Sequence, residues 1–190
     1  LVATIQLLGL EEIQNERASE LPLGWRQRLA LATAIVHKPT ILFLDEPTSG
    51  VDPGARRDFW DLIYDLAESG VTILVTTHYM DEAEYCARVG FMRRGKLMAV
   101  GTPTELKESE VTGAVWRVHC TPLLASLDLL ETVPVVRHVS LSGDHLRAIT
   151  AEKSGVQHLE QALDAAGFHD VRIQETAPTL EDVFLSLAGN

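Results

Sequence analysis

Residues Thr40 to Pro53 read "TILFLDEPTSGVDP". The apolar run Ile41 to Leu44 stops on two adjacent carboxylates, Asp45 and Glu46, and a turn-rich stretch then brings a third acid, Asp52. A buried run ending at paired acids suits a parallel strand whose carboxyl end opens onto a ligand crevice, where open α/β sheets place their sites. The residues alone leave a cation, a phosphate or a water as the partner of those acids.

The flanking segments extend this reading. Upstream, Pro22 starts a helix in which Trp25, Leu29, Ala32 and Val36 recur at three- and four-residue intervals until Pro39. Residues 1 to 20 read as helical, with Ile5 and Leu8 on one face. Downstream, Asp52-Pro53 reads as an N-cap and first helical position, Phe59, Ile63 and Leu66 as the apolar stripe, and Gly70 as the stop. "VTILVTTH" (Val71 to His78) is β-branched and nearly all apolar, the pattern of a second parallel strand buried on both faces. Strand, helix, strand predicts a βαβ unit with a right-handed crossover.

Past the short helix around Asp81 to Glu84, the sequence alternates around the turn Arg93-Arg94-Gly95, as a hairpin does. From about Gly113 the order becomes β-α-β-β-α-β, the ferredoxin-like arrangement, and a closing helix opens on the capping pattern Thr179-x-x-Asp182. Residues 113–190 are expected to form a small domain able to fold by itself.

Composition narrows the function. With 46% hydrophobic and 23% charged residues the 190-residue chain reads as globular, and no apolar run approaches the roughly 20 residues of a membrane-spanning helix. A net charge of −11 opposes non-specific attraction to nucleic acid. Cys86 and Cys120 form no CxxC pair, which argues against zinc and disulfide frameworks, and His119 beside Cys120 has no further ligand at usable spacing. The chain opens Leu1-Val2-Ala3, in the manner of a segment from the middle of a domain.

"LPLGWRQRLALA", "ILFLDEP", "SGVD" and "THYMDEAE" follow one another over roughly residues 21 to 84. In order and spacing they resemble the signature motif, Walker B with its glutamate, D-loop and switch histidine of an ABC-transporter ATP-binding subunit. The hairpin with "GTPTEL", and the ending "PTLEDVFLSL", resemble the multidrug-exporter subgroup that carries a small extra C-terminal domain. The fold class implied is α/β: a partial P-loop-type ABC ATPase domain with parallel strands over residues 1–112, then a small α+β ferredoxin-like domain over 113–190.

The resemblance implies ATP and Mg²⁺ as cofactors. Asp45 would hold the hydrated metal, Glu46 would polarise the attacking water, and His78, ending the neighbouring strand, would reach the γ-phosphate or that water. Ser49, Gly50 and Asp52 would form the D-loop at the interface with a second ABC ATP-binding domain, a homodimer mate or tandem half. Leu23, Gly24, Trp25 and Gln27 would contact nucleotide held by that second domain. The partner to be driven is a membrane permease, at the cytoplasmic face of the inner membrane, with no nucleic acid involved. The alternatives are a soluble ABC ATPase not engaged in transport and an ABC-derived module without catalysis.

Two departures stand out. Where the family carries Leu-Ser-Gly-Gly-Gln, this chain has Leu21-Pro22-Leu23-Gly24-Trp25. Pro22 offers neither hydroxyl nor N–H and Leu23 adds bulk, so the resemblance implies a weakened phosphate grip. The phosphate-cradling GxxxxGK[ST] loop is matched only by Gly90 to Leu97, where Leu97 replaces the metal-binding hydroxyl and the residues alternate like a hairpin. The reading is therefore a C-terminal portion without the Walker A loop. The 190 residues by themselves should neither bind MgATP at micromolar concentration nor hydrolyse it; calorimetric titration checks this, and micromolar binding would restore Gly90 to Lys96 as a candidate cradle.

Overall fold

The computed structural model describes residues 1–188, which divide into two compact units, one from Leu1 to Tyr79 and one beginning at Met80. In the first unit, α1 (Val2–Leu7) is followed by α2 (Leu23–Ile35), β1 (Ile41–Asp45), α3 (Pro53–Glu68) and β2 (Thr72–Thr76). The expected helix over residues 1 to 20 is cut to α1. Gly9, at φ +63°, closes it with a Schellman pair, Gly9 N–H to Gln6 O and Leu10 N–H to Ile5 O, and so turns Leu8 and Leu10 inward to be buried.

β1 and β2 pair in parallel, with Ile41 opposite Thr72 and Asp45 opposite Thr76, and α3 makes the crossover. Asp52 caps α3 by accepting from Gly54 N–H (3.1 Å) and Ala55 N–H (3.0 Å), and Pro53 takes the first helical position. Phe59, Trp60, Ile63 and Leu66 bury its inner stripe, and Gly70 ends it in another Schellman pair.

The two strands bury one face only. β2 alternates between exposed and half-buried positions, and Phe43 and Leu74, neighbours in register, are 73% and 57% exposed. In residues 1–79 the only helices long enough to cover a sheet face are α2 and α3, so Leu42 is buried while the Ile41, Phe43 and Leu74 face stays open.

In the second unit α4 (Met80–Ala83) leads into an antiparallel hairpin, β3 (Val89–Arg93) and β4 (Lys96–Gly101), turned by Arg94 and Gly95 at φ +50° and +76°. Helix α5 (Pro103–Glu110) starts with a full capping box. The Thr102 N–H and hydroxyl hold the Glu105 carboxyl below its usual range.

β5 (Ala114–Thr121), α6 (Leu123–Glu131), β6 (Val136–Ser142), β7 (His145–Thr150), α7 (Gly155–Ala165) and β8 (His169–Thr176) follow, and α8 (Leu180–Ala188) closes the described chain. Their sheet is antiparallel in the order β6-β7-β5-β8, the split βαβ arrangement expected of the ferredoxin-like order.

Alternation along β5 separates two cores. Trp116, Val118 and Cys120 face Leu130, Leu146, Leu159 and Leu163, whereas Val115 joins Ile149 on the opposite face. That second face packs with Phe91, Leu106 and Val111 as well as Leu180 and Val183, so the hairpin and α5 share a core with residues 114–188. This is why the compact unit begins at Met80, upstream of the 112/113 boundary expected from the sequence.

A buried ion pair ties α8 to the sheet. The Arg147 guanidinium reaches both Asp182 carboxylate oxygens, at 3.2 and 2.6 Å, and also donates to Ala177 O, while Asp182 accepts from the Thr179 N–H and hydroxyl. Both charged side chains are almost fully buried. Removing one leaves the other uncompensated, so Asp182→Ala should destabilise the second unit by about 3–5 kcal/mol, whereas Arg147→Met with Asp182→Leu should cost much less. Urea unfolding followed through the β7 amide signals measures both.

Candidate active site

The site is built where β1 and β2 end side by side. Asp45 closes β1 opposite Thr76, whose hydroxyl donates to the Asp45 carboxylate. The next residue, Glu46, leaves the strand with φ +43°, a backbone conformation uncommon for a side-chain-bearing residue. Its N–H still bonds across to Thr76 O at 3.0 Å and Thr76 Oγ at 3.2 Å. The turn carries the Glu46 carboxylate to His78, with Oε2 3.0 Å from Nδ1. Both side chains are about half exposed, 47% and 53%, so the pair is open to an incoming ligand.

The loop after Glu46 is tight. Ser49 N–H bonds Glu46 O and Val51 N–H bonds Thr48 O, Pro47 and Thr48 are buried, and Gly50 stands at φ +73°. Asp52 then caps α3. Asp45, Glu46 and His78 thus converge on one edge of the sheet, with Ser49 and Asp52 on the loop that leaves it.

Leu23, Gly24 and Trp25, expected at a nucleotide, form the first turn of α2, where Leu23 and Gly24 pack against that loop and the start of α3. The Leu23 side chain comes within 3.1 Å of where a Gly50 Cβ would stand. A Gly24 Cβ would stand 3.3 Å from the Ala55 methyl. Gly24 therefore has a packing role whatever else it does. The Arg28 guanidinium lies 5.4 Å from the centre of the Trp25 ring and pairs with Asp58 at 3.2 Å, while Gln27 is half-buried. Gly90 to Lys96 are held as hairpin strands and their turn, with no helix opening behind them.

Three participants escaped the sequence reading. Thr76 bridges the two acids, the Tyr79 ring lies 4.1 Å from the His78 ring, and the Arg56 guanidinium lies 4.0 Å from the centre of the Tyr79 ring. The triplet Thr76-Thr77-His78 was a faint signal for the first; the others depend on how α3 lies against β2.

Among the described residues no cluster of three or more His, Cys, Asp or Glu side chains is placed to hold a metal. Asp45 with the Thr76 hydroxyl is an oxygen donor pair, which fits Mg²⁺, an ion that binds through one or two carboxylates and completes its shell with water and substrate phosphates.

The probable multidrug ABC transporter ATP-binding protein YbhF of Escherichia coli (strain K12) is 60% identical over 102 residues, 54% of this chain and 18% of that protein. The Nod factor export ATP-binding protein I of Rhizobium sp. (strain N33) is 35% identical over 186 residues, 97% of this chain and 59% of that protein. Both relatives are named as ATP-binding proteins of transport or export, the first of an ABC transporter. Among solved structures, cbiO1 from Clostridium perfringens, part of the ABC transporter complex cbiONQ, is 31% identical with a TM-score of 0.52, over 57% of this chain and 44% of that one. The ATP-binding cassette MJ1267 is 27% identical with a TM-score of 0.50, over 53% of this chain and 40% of its own. A family model described as "AAA domain, putative AbiEii toxin, Type IV TA system" matches residues 6–80. The chain spans less than two thirds of the length of these curated relatives.

Asp52 has a structural duty that separates from any ligand role. Asp52→Ala should destabilise the first unit by about 1 kcal/mol, whereas Asp52→Asn keeps an equally good cap and should be near neutral. Denaturant titration of the two variants tests the assignment, and equal losses would refute it.

Proposed function

We propose that the chain is a portion of the ATP-hydrolysing subunit of an ABC exporter of the multidrug or a related type, coupling hydrolysis to transport by a membrane permease. The observation that carries this reading is the Glu46–His78 pair, 3.0 Å apart beside Asp45 at the carboxyl ends of two parallel strands. The names of the relatives, multidrug transport and Nod factor export, point the same way. No helix among the described residues is long and apolar enough to cross a membrane, which suits a subunit that works through a separate permease at the cytoplasmic face of the inner membrane. The cassette portion is assigned to residues 1–112 and the accessory domain to 113–190.

In this reading Asp45, held by the Thr76 hydroxyl, takes the hydrated Mg²⁺. When bound, Mg²⁺ with ATP screens the phosphate charge that builds up in phosphoryl transfer. Glu46 presents one carboxylate oxygen to His78 and keeps the other to accept a proton from the attacking water. The His78 ring meets the carboxylate through Nδ1. A neutral ring that donates there has Nε2 as an acceptor, and Nε2 donates to a phosphate oxygen only when the ring is an imidazolium.

Ser49, Gly50 and Asp52 form the D-loop facing the second ATP-binding domain, and Leu23, Gly24, Trp25 and Gln27 present the altered signature turn to that domain's nucleotide. Because Leu23 packs on Gly50, the two segments move as one, and the signature turn grips phosphate weakly without Ser-Gly amides and hydroxyl. In the ATP-hydrolysing subunit Glu46→Gln should leave nucleotide binding nearly intact and lower turnover by about 10²-fold or more. A steady-state phosphate-release assay paired with nucleotide titration decides it, and unchanged turnover would remove Glu46 from the chemistry.

A further inference from the structure

From the contacts around His78, we infer that Tyr79 and Arg56 are positioning residues that clamp the His78 imidazole against Glu46. The inference rests on the reading of Glu46 and His78 as the hydrolytic pair. Three contacts run in series: the Arg56 guanidinium carbon is 4.0 Å from the Tyr79 ring centre, the Tyr79 and His78 ring centroids are 4.1 Å apart at 37°, and His78 Nδ1 is 3.0 Å from Glu46 Oε2.

An imidazole held only by one hydrogen bond, and half exposed, can rotate about its side-chain torsions. The phenol ring fills one side of it and removes that freedom. The ring in turn is held from two directions. The Tyr79 N–H bonds the Thr77 hydroxyl at 3.0 Å, fixing the backbone, and the Arg56 cation attracts the ring's π-electrons.

Arg56 also links the clamp to the loop before α3. It stands in the first turn of the helix that Asp52 caps, and its own N–H bonds Asp52 O at 2.9 Å. A displacement of residues 49–52 that shifts the start of α3 therefore drags the guanidinium off the Tyr79 ring and loosens His78. All of these residues belong to the first compact unit. The clamp is thus built from this chain's first unit alone.

The test reads the histidine directly. In the ¹⁵N-labelled full chain at mildly alkaline pH, the His78 ring nitrogens should report the Nδ1–H tautomer, and its carbon-bound protons should be displaced by the Tyr79 ring current. Arg56→Met should lower the population ratio of that tautomer about two- to fivefold, the worth of an exposed cation–π contact. Arg56→Lys should restore most of it. Tyr79→Leu should abolish both signatures and Tyr79→Phe should keep them, with the β1 and β2 amide signals unchanged as the control. Should Tyr79→Leu unfold the first unit, Arg56→Met decides alone, since it leaves the ring in place. Parent-like His78 signals in Arg56→Met and Tyr79→Leu would overturn the clamp. These signals involve no ATP, so they stand apart from the turnover of Glu46→Gln: normal turnover there with a mobile His78 in Arg56→Met refutes the hydrolytic reading and leaves the clamp.

Discussion

The register between β1 and β2 governs everything at the candidate site. Setting Asp45 opposite Thr76 lets one hydroxyl hold the aspartate while the same residue's carbonyl and hydroxyl hold the Glu46 amide. A slip of one residue would turn Asp45 to the helix-covered face and lift Thr76 away from both acids, because side chains alternate along a strand. What fixes the register is apolar: Leu42 is buried on the helix side, so the strand can present its odd-numbered residues only outward. The chemistry of the acids is thus placed by a leucine three residues upstream of the first of them.

The second unit solves a different problem with the same alternation. Its four-stranded sheet is covered on both faces, by α6 and α7 on one side and by the hairpin, α5 and α8 on the other. Arg147 and Asp182 stand within that second layer and fix which end of α8 meets the sheet. A buried, fully bonded ion pair is weak as a source of stability, but it discriminates strongly against a shifted helix.

Much of this was legible from the residues. The capped α3, the strand ending at Asp45 and Glu46, the Arg94-Gly95 hairpin and the β-α-β-β-α-β order all rest on local signals: a turn dipeptide, a cap, a period of two or 3.6. The motifs placed Asp45, Glu46 and His78 in one site, and the strands bring them together. The direct Glu46–His78 contact, the bridging by Thr76 and the stacking of Arg56 on Tyr79 were not legible, because each joins residues 23 to 32 positions apart through packing that no local pattern encodes. The apolar run of β2 showed a strand, but which of its faces is covered depends on the elements packed against it. Likewise nothing in the periodicity of residues 89–111 showed that their apolar side chains fill the far face of a later sheet.

The left-handed backbone at Glu46 sets two demands against each other. An L-residue there strains the chain by about 1–2 kcal/mol, a cost that glycine avoids and asparagine reduces. Glycine has no carboxylate to offer His78, and asparagine has no negative charge. Selection for stability alone would therefore pull position 46 toward exchanges that dismantle the site, and screening for thermal resistance without an activity filter would enrich them. Such a position shows the direction of the trade between robustness and chemistry from its backbone angle alone.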